Sequence, residues 1–368
     1  MKNYGLNLVR IPIGYWSIKP MVDDPYVQGA LKYLDKALEW AQKYDLKVLL
    51  DLHGAPKSQN GFDNSGYRNI GYPGWLNSTK YVNHTYNVLN ELYTIYGTGE
   101  MAQLYRDTII GIEVLNEPNG PLLNMDKVKT FYNETYLDSR NIMNLNILIL
   151  FLDAFQPLGY WNDFLSNNSV SNYTNKNQYY NIMIDHHRYE IFDPGALKMN
   201  ISQHISSITG FSSGIHQELS HHPAIVGEWS AALTDCTPWL NGVGLGSRYQ
   251  GEQPYTNDYI GNCSNVNNFS QWSKLDIKNH RKYIEIQLDQ YSSKTNGWIF
   301  WCWKTETAIE WDFQKLVQLN LMPQPLNNFT YIKNGVDTDP HKNFSSKTSN
   351  YFNLWFNIII ILYILFII

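Results

Sequence analysis

Only three of the 368 residues are cysteine, and none falls in a Cys-x-x-Cys pair, so the chain is not a disulfide-built fold. There is no His-Glu-x-x-His spacing for a metal, no Gly-x-Ser-x-Gly nucleophile elbow, and no glycine-rich phosphate turn after the first apolar run. Charged residues make up just 17%, with a net charge of −5, which gives no electrostatic footprint for nucleic acid. The opening residues MKNYGLNLVRIPIG hold no apolar h-region and no cleavage site, so no signal peptide is expected in this chain.

What is present is apolar and aromatic. Hydrophobic residues reach 43%, enough for a sizeable core. Twelve Trp and 27 Tyr supply flat amphipathic rings that suit both core packing and sugar stacking. Cys236 and Cys263 lie in a polar, loop-rich stretch and could close one bridge, adding about 3–4 kcal/mol in the chain-entropy model. Cys302, inside an apolar run, reads as a buried free thiol. Asn-x-Ser/Thr sequons at Asn77, Asn83, Asn133, Asn167, Asn172, Asn200, Asn262, Asn268, Asn328 and Asn343 fit a secreted glycoprotein better than a cytosolic protein.

Seven β-branched, apolar runs stand out: 6–14, 46–54, 109–118, 145–155, 180–189, 224–230 and 297–304. Several lack alternation, as strands buried on both faces do. Helical patterns at 27–44, 80–96, 126–138 and 277–291 lie between some of them, the first with Leu31, Leu34, Leu38 and Ala41 on one face. Strand–helix–strand repetition predicts a parallel α/β architecture. Six runs end in polar or ionisable residues: His53, Asn116-Glu117, Asp153, His187 with Tyr189, Glu228 and Lys304. The seventh carries Arg10. Carboxyl ends of strands converge on the active site of a (β/α)8 TIM barrel, which would gather these side chains in one bowl. The count is seven where eight are needed, and the chain starts directly on a strand. A barrel lacking its first β-α unit at the N-terminus is therefore expected.

Glu117 is followed by Pro118, which stops the strand, and Glu228 is preceded by Gly227, which permits close backbone approach. Two carboxylates facing one another about 5–5.5 Å apart are what retaining glycoside hydrolysis requires. The acid would need a raised pKa from repulsion and desolvation, while Arg10 would keep the nucleophile ionised. The pairs His186-His187 and His221-His222 are adjacent residues that point to opposite faces of a strand, so no metal is expected.

The stretches LNLVRIPIGYW, DLHGAPKSQNGFDNSG, IEVLNEPNGP, DHHRY, VGEWSAALTDCTPWLNGV and GWIFWCWKTE resemble the fungal exo-β-1,3-glucanases of glycoside hydrolase family 5, in order, as far as about Pro325. The resemblance implies release of glucose from non-reducing ends of β-1,3-glucan with retention, in cell-wall glucan metabolism, without a cofactor. It implies Glu117 as acid/base and Glu228 as nucleophile, with Arg10 and Tyr189 orienting Glu228. It further implies that His53, Asn116 and His187 bind sugar hydroxyls, Trp303 stacks beneath the first sugar, and Phe62 and Phe192 clamp the next. It also supports the Cys236–Cys263 bridge. Departures are the absent signal and first strand, with a pocket-closing glutamate, and Cys302 in place of a serine. Two other readings share these motifs: an inactive glucan-binding remnant, and an endo-acting or β-1,6-directed glucanase.

The expected organisation is a barrel over 1–330, a polar linker over 331–350 and a hydrophobic tail over 351–368. That tail, ending IIIILYILFII, resembles a lipid-anchor (GPI) signal, with Ser345, Ser346 or Asn334-Gly335 as attachment points, or a membrane anchor. A monomer at the cell surface or cell wall, acting on β-1,3-glucan, is the expectation for partners and location.

Overall fold

Each of the seven apolar runs forms a strand, and all seven join one parallel sheet in chain order: β1 (Leu8–Gly14), β2 (Lys47–Gly54), β3 (Ile109–Glu113), β4 (Leu148–Leu152), β5 (Ile182–Arg188), β6 (Ala224–Trp229) and β7 (Trp298–Phe300). The structure, a computed structural model, describes residues 1–67, 71–144, 147–166, 179–253 and 258–340. The sheet curves into a nearly closed barrel, with its two edges, β1 and β7, drawn towards each other. Among the described residues the barrel has seven strands, and an eighth would lie between β7 and β1. A cavity of about 1000 Å³ opens along this edge, lined by Leu8, Arg10, Leu49, Leu150, Met183 and Trp303 among others.

Alternation along the strands separates two environments. Val48, Leu50 and Leu52 of β2 are fully buried in the layer between sheet and helices, whereas Leu49 meets Leu150 and Ile225 inside the barrel. Above that apolar floor the inward positions turn charged.

The helices pack outside. α1 (Leu31–Lys43) buries Leu34, Leu38 and Ala41. α2 (Thr79–Gly97) is followed by a short α3 (Gly99–Leu104), and α4 (Met125–Ile142) by β4. α5 (Pro194–Leu197) is a single turn, and α6 (Ile201–Glu218) is a long helix not anticipated from the sequence. Its segment is rich in Ser and Gly, which weakens the propensity signal. Packing of Ile205, Ile208 and Ile215 holds it, and a capping box between Asn200 and Gln203 starts it. α7 (Lys274–Lys294) and α8 (Phe313–Gln318) complete the set.

The barrel unit runs from Met1 to Asp337, seven residues beyond the expected linker boundary at 330. A hairpin of β8 (Ile332–Lys333) and β9 (Val336–Asp337) closes it. Glu285 of α7 accepts the backbone N–H groups of Thr330, Tyr331 and Ile332, and Lys282 pairs with Asp337 at 2.9 Å. Asn334 and Gly335, both left-handed at φ 50° and 77°, form the tight turn of this hairpin, the structural reason for an Asn-Gly pair there. Ser345, Ser346 and the apolar tail lie outside the described residues. Among the described residues, no helix is long and apolar enough to cross a membrane.

One polar latch ties β5 to its surroundings. His186 Nδ1 meets Asp153 at 2.8 Å and its Nε2 meets Glu218 at 3.0 Å, both carboxylates largely buried. Burial alone would lower the imidazole's pKa, but the two carboxylates push it up to about 9. The folded value lies above the ordinary 6.5, so this contribution is complete below pH 6.5 and is lost as pH rises through about 9. The shift corresponds to on the order of 3 kcal/mol. Glu218, despite burial, is held below its ordinary 4.5 by His186, so its share is lost as pH falls below that value. Melting temperatures across pH should therefore separate wild type from His186→Gln most between pH 4.5 and 6.5 and converge beyond pH 9. A gap that does not vary with pH would contradict the latch.

Candidate active site

Glu117 and Glu228 meet at the carboxyl ends of β3 and β6. One carboxylate oxygen of each and a nitrogen of His187 all lie within 4.8 Å of one another. The two carboxylates are held differently. Glu228 Oε1 accepts from Arg10 at 2.7 Å and its Oε2 from Tyr189 at 2.8 Å. Glu117 Oε1 bonds His187 Nδ1 at 2.8 Å, and its Oε2 accepts from Asn64 at 3.1 Å.

Local backbone explains both placements. His186 pairs with Val226 and His187 with Glu228, leaving Gly227 as the extra residue of a β-bulge that turns Glu228 inward. A Cβ on Gly227 would sit 1.9 Å from Asp185 Oδ2, and the Gly227 N–H donates to Asp185 Oδ1 at 2.7 Å. Gly227→Ala is expected to lower stability by about 1–3 kcal/mol through overpacking and to reduce activity by displacing Glu228. Parallel melting and rate measurements check this, and a variant matching wild type in both would refute the close approach. Glu117 occupies the left-handed region at φ 45°, directly before Pro118, a position that disfavours anything but extended backbone. Such strain, about 1–3 kcal/mol, is characteristic of residues held in place for function.

Arg10 is the hub. Its guanidinium reaches Glu113 at 2.8 Å, Asn116 at 2.7 Å and Asp51 at 3.1 Å in addition to Glu228. His53 joins through Asp51, 2.7 Å from its Nδ1, and stacks on Trp301 with centroids 5.9 Å apart. The motif DLHGAPKSQNGFDNSG folds into a loop with buried polar groups satisfied within it. Gln59 donates to the carbonyls of His53 and Asn116, clasping the ends of β2 and β3, while Asn64 reaches Glu117. Phe62 and Phe192 are both exposed, at 46% and 42%, and Asp63 beside Phe62 accepts from the Val243 N–H. Trp303 is half-buried against Phe313 and Tyr4 and lines the cavity at the β1–β7 edge. Cys236 and Cys263 are disulfide-bonded, and Cys302 is a half-buried free thiol. His186 and His187 point apart, one to the latch and one to the two glutamates.

The sequence-based expectation of a raised pKa at Glu117 needs correction. Burial does push its carboxyl up, but the bond to His187, the charges of His187 and His53, and Asn64 outweigh it and bring it down to about 2. His187 moves the other way, to about 10, because Glu228 and Glu117 overcome its burial. The opposite shifts are those of an imidazolium–carboxylate pair joined by a 2.8 Å hydrogen bond.

A family model described as cellulase, glycosyl hydrolase family 5, matches residues 1–243. The chain belongs to glycosyl hydrolase family 5. Among curated proteins, this family 5 chain is 56% identical over 349 residues to Glucan 1,3-beta-glucosidase 2 of Candida albicans, covering 92% of the chain and 72% of that protein. It is 46% identical over 329 residues to Glucan 1,3-beta-glucosidase of Schwanniomyces occidentalis, covering 89% and 72%. Among solved structures, the rutinosidase from Aspergillus niger superposes with a TM-score of 0.61 at 15% identity, over 87% of this chain and 80% of that one, which speaks for the shared barrel fold.

Three acids beside the two glutamates escaped the sequence reading: Asp51, Glu113 and Asp185, each wholly buried inside the barrel. Their signal was alternation. An acid stands two residues before His53, two before His187, and four before Glu117, on the same inward rows.

Proposed function

We propose that the chain is a retaining exo-β-1,3-glucanase that releases glucose from β-1,3-glucan, with Glu228 as nucleophile and Glu117 as acid/base. The observation that carries this reading is the pair of carboxylates with oxygens within 4.8 Å, each held by its own partners. That spacing suits direct attack by one carboxylate rather than placement of a water between them. The similarity to glucan 1,3-beta-glucosidases supports the substrate class.

In the first step a Glu228 oxygen attacks the anomeric carbon as the glycosidic C–O bond breaks. Arg10 and Tyr189 fix the attacking carboxylate and leave it one reactive direction. As Glu228 gives up its charge to the new bond, the hold on the His187 proton weakens, and the proton passes through Glu117 to the departing oxygen. In the second step Glu117, again a carboxylate, takes a proton from water, which attacks the glycosyl–Glu228 ester. Two inversions give net retention. His53 and Asn116 contact hydroxyls of the first sugar, Trp303 offers it a ring face, and Phe62 and Phe192 hold the next sugar at the mouth.

The disulfide and the sequons favour an extracellular setting. Attachment through residues 351–368 would place the enzyme at the cell surface. The direct test is proton NMR of a laminari-oligosaccharide digest in its first minutes. β-Glucose as the first-formed product is the expected result, and α-glucose or internal cleavage products would overturn it.

A further inference from the structure

Beneath the two glutamates the barrel holds more acid than base. Arg10 faces Asp51, Glu113 and Glu228 at 3.1, 2.8 and 2.7 Å, so one guanidinium serves three carboxylates. A fourth, Asp185, has the Gly227 N–H on one oxygen and His187 Nε2 only at 4.0 Å from the other. Asp51, Glu113 and Asp185 are entirely buried. Asp51 Oδ1, Glu113 Oε1, Asp185 Oδ2 and His187 Nε2 have no hydrogen-bond partner. Atoms of Glu113, Asp185 and His187 lie within 4.8 Å of one another. Full ionisation would set two bare carboxylate oxygens side by side in a dry interior, which burial opposes strongly.

We propose that Glu113 is a positioning residue for the hydrolytic reaction, held as a neutral carboxylic acid whose Oε1 proton points into the gap before Asp185, so that the charge of Arg10 is directed to Glu228. This rests on the assignment of Glu228 as nucleophile. Arg10 Nε still donates to the carbonyl-like Oε2 of the neutral acid, so Glu113 keeps the guanidinium in plane without neutralising it. The groups facing Glu113 are Arg10 from β1, Asp51 with His53 behind it from β2, Asp185 and His187 from β5, and Glu228 from β6. Glu117 lies beyond His187, and the Tyr132 hydroxyl of α4 donates to the Leu152 carbonyl at 3.0 Å. Burial raises the Glu113 carboxyl most, Arg10 opposes, and Asp51 and Asp185 add to the rise, taking it to about 8. Asp185 rises less, to about 6, because His187, Arg10 and the Gly227 N–H offset its burial. Asp185 has the Gly227 N–H at 2.7 Å and His187 Nε2 at 4.0 Å to favour its charge, so the geometry leaves the proton with Glu113. A divalent cation could use the same three unpartnered atoms, but Arg10 already occupies the Glu113 carboxyl, and two cations on one carboxyl repel.

Infrared difference spectroscopy of the full chain tests the proton directly, with Glu113→Gln as reference. Wild type should show the C=O stretch of a buried protonated carboxyl at neutral pH that fades in alkaline solution, and Glu113→Gln should lack it. Glu113→Leu, which cannot accept from Arg10, should lower kcat on laminarin at least about tenfold with KM little changed. Glu113→Gln, neutral and of the same shape, should bring kcat back to within about threefold of wild type and remove any alkaline limb due to Glu113. Melting curves of both variants show whether a loss of rate is a loss of fold. An active wild type without the band, or a folded Glu113→Gln as impaired as Glu113→Leu, overturns the proposal. So does a stoichiometric divalent metal in wild type that Glu113→Gln loses. A wild type that shows the band but hydrolyses no laminarin refutes the hydrolase assignment, and the positioning role with it.

Discussion

Glu228→Gln is expected to reduce glucose release from laminarin by on the order of 10⁴-fold or more, the scale on which loss of a nucleophile is felt. The amide cannot form the glycosyl ester, and its NH2 would face a guanidinium or a phenol that donates to Glu228 in wild type. Because the side chain keeps its shape, the fold should survive, and circular dichroism or melting would verify that. Glu117→Gln should behave differently. Its loss on laminarin is expected at about 10²–10⁴-fold, the usual range for a general acid. On an aryl glucoside whose phenolate leaves unaided, the first step should be much less affected. A Glu117→Gln variant equally impaired on both substrates would contradict the acid role, and an unimpaired Glu228→Gln would remove the nucleophile assignment.

The same pair of variants bears on the reading of the chain as an inactive remnant, which supposes carboxylates poorly held. Each glutamate has two hydrogen-bond partners, the four drawn from three separate segments of the chain. The barrel edge between β1 and β7 is open at its cavity, yet Arg10 on edge strand β1 still spans to Glu228 on β6. The hold on Glu228 is therefore kept by edge strand β1 itself, open though that edge is.

Sequence pattern located the strands because parallel strands buried on both faces leave continuous apolar runs, and it located the bowl because strand ends converge. The limits were equally physical. α6 is built on Ser and Gly and owes its stability to tertiary packing of a few isoleucines, which no local propensity conveys. The interior acids Asp51, Glu113 and Asp185 precede His53, Glu117 and His187 by two to four positions, where attention to the ends of the apolar runs alone does not reach. The proton's position at Glu117 depends on His187, 70 residues later in the chain, so its direction of shift required coordinates. The Asn-Gly pair at 334–335, compatible with an attachment site by composition, acts as a hairpin turn because Gly335 N–H and its neighbours are tied to α7.

Arg10→Leu should produce the largest loss of stability of any single change at the site. It leaves the Asp51 and Glu228 carboxylates without their common cation and the neutral Glu113 without its donor, and breaking buried pairs of this kind costs about 3–5 kcal/mol. Activity should fall as well, since Glu228 loses the donor that orients it. The pH dependence carries the diagnostic sign. Without Arg10 the remaining carboxylates are buried with no cation beside them, so the penalty is absent when they are protonated and grows as pH rises past the ordinary carboxylate range. The gap in melting temperature between wild type and Arg10→Leu should therefore be widest near neutrality and narrow towards acid. Arg10→Lys tests geometry apart from charge. An ammonium restores one positive charge but cannot reach Glu113, Asn116, Asp51 and Glu228 in four fixed directions, as the guanidinium does. It should recover part of the stability and little of kcat. Full recovery of kcat by lysine would mean that charge alone suffices and that the planar fork does not set the direction of the nucleophile.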